Sequence, residues 1–144
     1  MKIQESAENY LETILMLQQR KGSVRSIDIA NELEFSKPSV SVAMKNLRLN
    51  GYIEVDAGGC IHLLPEGRAI AEAVFEKHRM MTEFLIALGV REEVAAEDAC
   101  RIEHVLSDES FEAINRHAEK YAKIYRWGTA RWPFPTFFFC TDVL

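Results

Sequence analysis

The chain has 144 residues, 48% of them hydrophobic, and a net charge of −5. That is enough for one good core or two small ones, and it excludes a surface coated in basic charge for nucleic acid while permitting a local DNA-reading face. No run of about 18 apolar residues predicts a transmembrane helix, the polar start Met1-Lys2-Ile3-Gln4-Glu5 does not read as a signal peptide, and three widely spaced cysteines without a Cys-x-x-Cys pair fit a reduced cytoplasm rather than a disulfide framework or a zinc ribbon.

Tyr10, Leu11, Ile14, Leu15 and Leu17 form an apolar stripe that predicts a first helix over residues 7–19, with Ser6 as its N-cap. Lys21-Gly22-Ser23 ends it. Ser26 is expected to cap a short helix over 27–33, with Ile27, Ala30 and Leu33 facing inward. Ser36-Lys37-Pro38-Ser39 opens a third helix: Ser36 is the N-cap, and Pro38 sits in the first turn, where its missing N–H does no harm. Val40, Ala43, Met44 and Leu47 are the buried face of that helix, and Asn50-Gly51 closes it. Residues 52–55 and 60–63 flank Asp56-Ala57-Gly58-Gly59 as strand, turn and strand. Three helices and a hairpin in this order predict a winged helix-turn-helix domain over residues 1–64.

Pro65 starts a long helix to about residue 88, with Ile70, Ala73, Val74, Met81, Phe84 and Leu85 as apolar positions and Gly89 as its stop. A further helix covers about 92–106. Ser107-Asp108-Glu109-Ser110 caps a last one reaching about residue 125, with Phe111, Ile114 and Tyr121 on one side. These helices predict a second domain over 65–126. The tail, 127–144, holds Arg131-Trp132-Pro133-Phe134-Pro135-Thr136-Phe137-Phe138-Phe139; its prolines forbid a continuous helix, and so aromatic a run is expected to cover the core or a partner subunit. The expected fold class is mostly α with a small β-hairpin wing. There is no internal repeat.

In a winged helix-turn-helix the third helix enters the major groove N-terminus first. Here that end carries Ser36, Lys37, Pro38, Ser39 and Ser41, whose hydroxyls and helix N-terminus suit phosphates or base edges. Lys45 and Arg48 lie further along, within reach of phosphates, and Lys21 and Arg25 precede the second helix. The acids Glu5, Glu8 and Glu12 cluster on the first helix, away from the reading face. The alternative for residues 36–41 is a helix cap and nothing more.

The run Asp98-Ala99-Cys100-Arg101-Ile102-Glu103-His104 carries the most chemistry. Cys100, Glu103 and His104 stand at i, i+3 and i+4, on one helical face. A thiolate, a carboxylate and an imidazole so placed make half of a divalent-metal site. His78 on the preceding helix, and Glu12 and Asn9 at i and i+3 spacing on the first, are candidates for the rest. Singly, each has a plainer reading: Cys100 as a small core residue, His78 and Glu103 as solvated charges. His62 and His117 fit no pattern and read as structural or exposed. There is no nucleophile–base pair and no phosphate-binding glycine loop, so an enzyme is not expected.

In these motifs the chain resembles the diphtheria-toxin-repressor and manganese-transport-regulator family of metal-dependent repressors. The resemblance covers residues 5–112. It rests on Glu8-Asn9-Tyr10-Leu11-Glu12-Thr13-Ile14, Ser36-Lys37-Pro38-Ser39-Val40-Ser41, Lys77-His78-Arg79, and residues 98–109 from Asp98 to Glu109. It implies a homodimer formed through the C-terminal helices, Mn2+ or Fe2+ as corepressor, and palindromic double-stranded DNA operators of metal-uptake genes. Cys100, Glu103 and His104 match the iron-type members, and His78 and Glu12 match ligand positions. Asn9 departs from both the Met and the Asp found there in the family, Thr82 replaces an ancillary carboxylate, and Ala96 an ancillary His. The base-reading position corresponds to Val42, which suits a thymine methyl.

The expectation is therefore a cytoplasmic, dimeric repressor with metal held by Glu12, His78, Cys100, Glu103, His104 and Asn9. The thiolate favours Fe2+ over Mn2+, with Zn2+ or Co2+ as substitutes in vitro. No membrane and no organic cofactor is expected. The rivals are a winged-helix regulator whose metal site has decayed, and a metal-buffering protein.

Overall fold

The computed structural model of the protein describes residues 5–125, with side chains as far as Lys120. The aromatic segment 127–144 and the Tyr121 side chain, for which roles were expected, lie outside the described residues. In chain order these hold α1 (Glu5–Lys21), α2 (Ser26–Leu33), α3 (Lys37–Leu49), β1 (Ile53–Val55), β2 (Ile61–Leu63), α4 (Pro65–Ala87), α5 (Glu92–Val105) and α6 (Asp108–Tyr125). Mostly helical with one hairpin, this is the expected fold class. Two compact units divide within α4, between Phe75 and Glu76. None of the described helices is long and apolar enough to cross a membrane.

In the first unit α1 packs on α2, α3 and β2, burying Leu11, Ile14, Leu17, Ile29, Leu33, Val40, Ile53 and Ile61 almost completely. Ser36 caps α3 as expected, its Oγ accepting the Ser39 N–H at 3.3 Å, which satisfies one of the otherwise orphaned donors. Two caps differ from expectation. Ser6 lies inside α1, which already includes Glu5. Ser26 is the first residue of α2, and Arg25 is its N-cap. The Asp28 carboxylate accepts the Arg25 N–H at 2.9 Å, so an acid in the first turn reaches back to the backbone of the N-cap residue. The buried stripe of α2 is Ile29, Ala30 and Leu33, and Ile27, expected inside, is 40% exposed.

The strands pair antiparallel with Ile53 opposite Leu63, Glu54 opposite His62 and Val55 opposite Ile61. Alternation puts Ile53 and Ile61 in the core and Glu54 and His62 outside. The Ile61 N–H donates to the Val24 carbonyl at 2.7 Å, extending the sheet edge to the segment before α2. Asp56 organises the turn: its Oδ1 accepts the N–H groups of Gly58 and Cys60, and its Oδ2 lies 2.9 Å from His62 Nε2. Gly59 takes φ +83°, which only glycine adopts without strain. At the start of α4, a Cβ on Gly67 would stand 2.1 Å from the Tyr52 carbonyl oxygen. Glycine there is the condition for the helix to lie against the chain entering the wing.

The second unit has its own core. Met80, Met81 and Ala99 are buried, with Phe84, Ile102, Leu106, Phe111 and Ile114 packed on them. Ser107 caps α6, accepting the Ser110 N–H at 3.2 Å. Lys77 joins α4 to the start of α6, pairing with Asp108 at 2.9 Å and lying 5.7 Å from the centroid of the Phe111 ring.

Candidate metal centre and reading helix

Ala95, Ala99, Cys100 and Glu103 are the buried residues of α5. Their spacing is that of a core-facing stripe, so Glu103 stands where the helical period calls for an apolar side chain. On α4, Val74, His78, Met81 and Thr82 form the equivalent buried row. Within the second unit the two rows bring His78 and Glu103 together: Nδ1 lies 2.9 Å from Oε2, and the side chains are 8% and 0% exposed. The other carboxylate oxygen of Glu103, Oε1, is 3.3 Å from Nε2 of His104, whose side chain is 5% exposed. A carboxylate thus stands between two imidazoles, out of water.

This arrangement has an electrostatic consequence. An ionised carboxylate taken from water into a protein interior loses several kcal/mol of solvation, roughly, unless a cation or strong donors compensate it. Two imidazoles and a divalent ion meet that need together, because neutral imidazoles and a carboxylate are the donors that such ions take. The residues present therefore fit a metal. Cys100, one turn before His104, is buried and reduced. Glu12 is 4% exposed in the middle of α1, among Leu11, Thr13 and Ile14. Asn9 is partly buried on the same helix, its carbonyl accepting the Thr13 hydroxyl at 2.7 Å.

Thr82, the residue four after His78, is buried, and its hydroxyl donates to the His78 carbonyl at 2.8 Å. It is engaged by its own helix, and nothing in the sequence pattern signals that bond. His62 is exposed beside Asp56, and His117 is exposed on α6.

On α3, residues 36–39, 41, 42, 45 and 48 are all exposed, against a buried face of Val40, Met44 and Leu47. The Ser36 and Ser39 hydroxyls bond each other at 2.8 Å and so are engaged by the cap. Ser41, Val42, Lys45 and Arg48 project from the following turns, Val42 with 60% of its surface exposed. Lys21, expected near this face, forms an ion pair with Asp28, and Arg20 pairs with Glu32 at 2.6 Å.

Comparison with known proteins adds an independent line. Residues 2–59 match the family profile described as iron dependent repressor, N-terminal DNA binding domain, and residues 64–123 match that described as iron dependent repressor, metal binding and dimerisation domain. The transcriptional regulator MntR of Escherichia coli O6:H1 (strain CFT073) is 33% identical over 117 residues, covering 81% of this chain and 76% of that protein. The diphtheria toxin repressor of Corynebacterium efficiens is 36% identical over 106 residues, 73% of this chain and 46% of that protein. The solved structure of the manganese regulator SloR superposes with a TM-score of 0.70 at 28% identity, covering 83% of this chain and 55% of that one. The chain thus spans about half the length of the latter two proteins.

Proposed function

Because the chain belongs to the iron-dependent repressor family, we propose that it is a dimeric, metal-activated transcriptional repressor that acts in the cytoplasm on palindromic operators of metal-homeostasis genes. The observation that carries this reading is the Glu103 carboxylate, buried between His78 and His104 in the segment that matches a metal-binding and dimerisation domain. His78, Cys100, Glu103 and His104 are the proposed ligands from the second unit, with Glu12 and Asn9 the proposed arms from α1. Glu12 is buried on α1, and a carboxylate is a donor that such ions take, which supports its inclusion.

The bound ion supplies the positive charge that keeps a buried carboxylate and thiolate ionised. Glu12, so held, favours one placement of α1 and of the α3 helix packed on it. DNA affinity then rises by population shift, to the extent that the DNA-competent state is also the better metal binder. In a dimer, that placement sets the two reading helices one DNA turn or a multiple of it apart. Cys100 favours Fe2+ over Mn2+, because a thiolate is a softer ligand than Mn2+ prefers. Mn2+ is the alternative supported by the manganese-named relative, and Zn2+ or Co2+ should substitute in vitro.

The test is anaerobic calorimetric titration of Fe2+ and Mn2+ into the wild type and Cys100→Ala, followed by selection from a random duplex pool with and without each metal. Tighter Fe2+ binding that is lost in Cys100→Ala, and duplex enrichment that a chelator reverses, are expected. Activation by Mn2+ at lower free concentration than Fe2+ would overturn the iron assignment. No metal binding by the wild type, or duplex binding indifferent to chelator, would overturn the repressor reading.

A further inference from the structure

The rings of Tyr10 and Phe35 meet with centroids 6.0 Å apart and planes at 70°. The edge-to-face arrangement is a favourable and oriented one. Its position gives it a use beyond packing. Tyr10 follows Asn9 on α1, and at 100° per residue its side chain leaves the helix about 200° from that of Glu12. The first turns of α1 therefore carry the proposed metal arms, Asn9 and Glu12, on one side and an aromatic ring on the other.

Phe35 lies in the turn between α2 and α3. Glu34 before it takes a left-handed conformation, φ 55°, and the Phe35 N–H donates to the Ala30 carbonyl at 3.1 Å. That closes α2 in a tight C-terminal turn. Ser36 after it is the N-cap of α3, its Oγ accepting the Ser39 N–H and donating to Ser39 Oγ. The turn offers little slack, because both neighbours of Phe35 have set conformations. Phe35 thus stands directly before the end of α3 that carries Lys37, Pro38, Ser39 and Ser41.

The geometry points to Tyr10 and Phe35 as positioning residues that transmit the placement of α1 to the N-terminus of the reading helix, so that they set how strongly metal raises DNA affinity. This rests on the metal-activated reading above. Neither ring ligates metal or touches a base in this role. Removal of the contact lowers the coupling between the two ligands and leaves each intrinsic affinity near its own value.

Tyr10→Leu, Phe35→Ser and the double variant are compared with the wild type in the full chain. Calorimetry gives Mn2+ and Fe2+ affinity without DNA. Fluorescence anisotropy gives affinity, with and without each metal, for a duplex selected by the metal-loaded wild type. The expected result is metal affinity unchanged without DNA, duplex affinity unchanged without metal, and an activation ratio lower by about two- to tenfold in each single variant. The double variant should lose no more than the larger single loss, as two halves of one contact require. Because Phe35 is exposed at a turn, Phe35→Ser keeps the test usable even where Tyr10→Leu fails to fold. Wild-type activation ratios in the variants would overturn the relay, as would losses that simply add. A wild type whose duplex affinity ignores metal would overturn the repressor reading, and the relay with it, and the wild-type arm alone reveals that case.

Discussion

Nδ1 of His78 on α4 stands 2.9 Å from Oε2 of Glu103 on α5, and neither side chain has appreciable access to water. The pair joins two helices that are separated in sequence by a glycine-ended turn, at a position where each helix would otherwise carry an apolar residue. Replacing Glu103 by Gln keeps its shape and removes its charge. Glu103→Gln should therefore retain the fold and lose metal affinity by more than the about 10–100-fold that loss of a supporting hydrogen bond to a metal ligand brings. Circular dichroism and calorimetric titration with Fe2+ and Mn2+ check the two halves of this prediction. Wild-type affinity in the variant would remove Glu103 from the ligand set.

Two exposed residues of α3 should separate grip from reading. Lys45→Ala should weaken binding to all duplexes alike and reduce the slope of log affinity against log salt by about 1, the signature of one lost phosphate contact. Val42→Ala should leave the salt slope unchanged and alter the preferred duplex, because an apolar side chain in the major groove discriminates through thymine methyl groups. Salt titrations and repeated selection from a random pool distinguish these outcomes. A salt slope in Lys45→Ala equal to the wild type would place that lysine off the DNA.

Gly67→Ala sets two effects against each other. Helix propensity alone makes alanine better by about 1 kcal/mol. The new Cβ, however, would meet the Tyr52 carbonyl oxygen at 2.1 Å, a backbone atom that cannot rotate away. The clash should win, with a net destabilisation of about 1–3 kcal/mol and a lower denaturant midpoint for the full chain. A midpoint equal to or above the wild type would show that α4 can move off the wing without cost.

Three acids, Asp56 and Asp108 exposed and Asp28 partly buried, give the chain an acid limit. The His62 ring, then the Cys60 and Gly58 N–H groups, hold the Asp56 carboxyl below its ordinary value. Lys21 and the Arg25 N–H do the same for Asp28, and Lys77 for Asp108. Each group is easier to ionise when folded than when unfolded. Its contribution is therefore complete above the ordinary Asp value of about 3.9 and is lost as pH falls from there through the lower folded value. NMR titration should place the Asp56 midpoint below that of an unfolded peptide, with the Gly58 and Cys60 amide signals shifting along the same curve. Asp56→Ala should free those amides at neutral pH, read as faster hydrogen exchange at the wing tip. A midpoint at the ordinary value would mean that the turn is held by its glycines and not by the carboxylate.

Much of this molecule was determined by local sequence. Apolar periodicity and the Gly and Pro stops placed each helix of the described residues within a few positions, and Ser36-Lys37-Pro38-Ser39 announced the start of the reading helix, because caps and periods depend on neighbours a few positions away. The i, i+3, i+4 spacing of Cys100, Glu103 and His104 put three donors on one face for the same reason. Tertiary structure decided what local rules leave open. Arg25 with Asp28, not Ser26, caps α2, and Ile27 lies outward while Ile29, Ala30 and Leu33 are buried. Only packing between helices could set the imidazole of His78 against Glu103, bring Gly67 to the Tyr52 carbonyl, or lay Tyr10 on Phe35. Those pairs lie 15 to 25 residues apart in sequence. Side-chain spacing along one helix says which way a residue points, whereas what it meets depends on how whole elements are packed around a shared core.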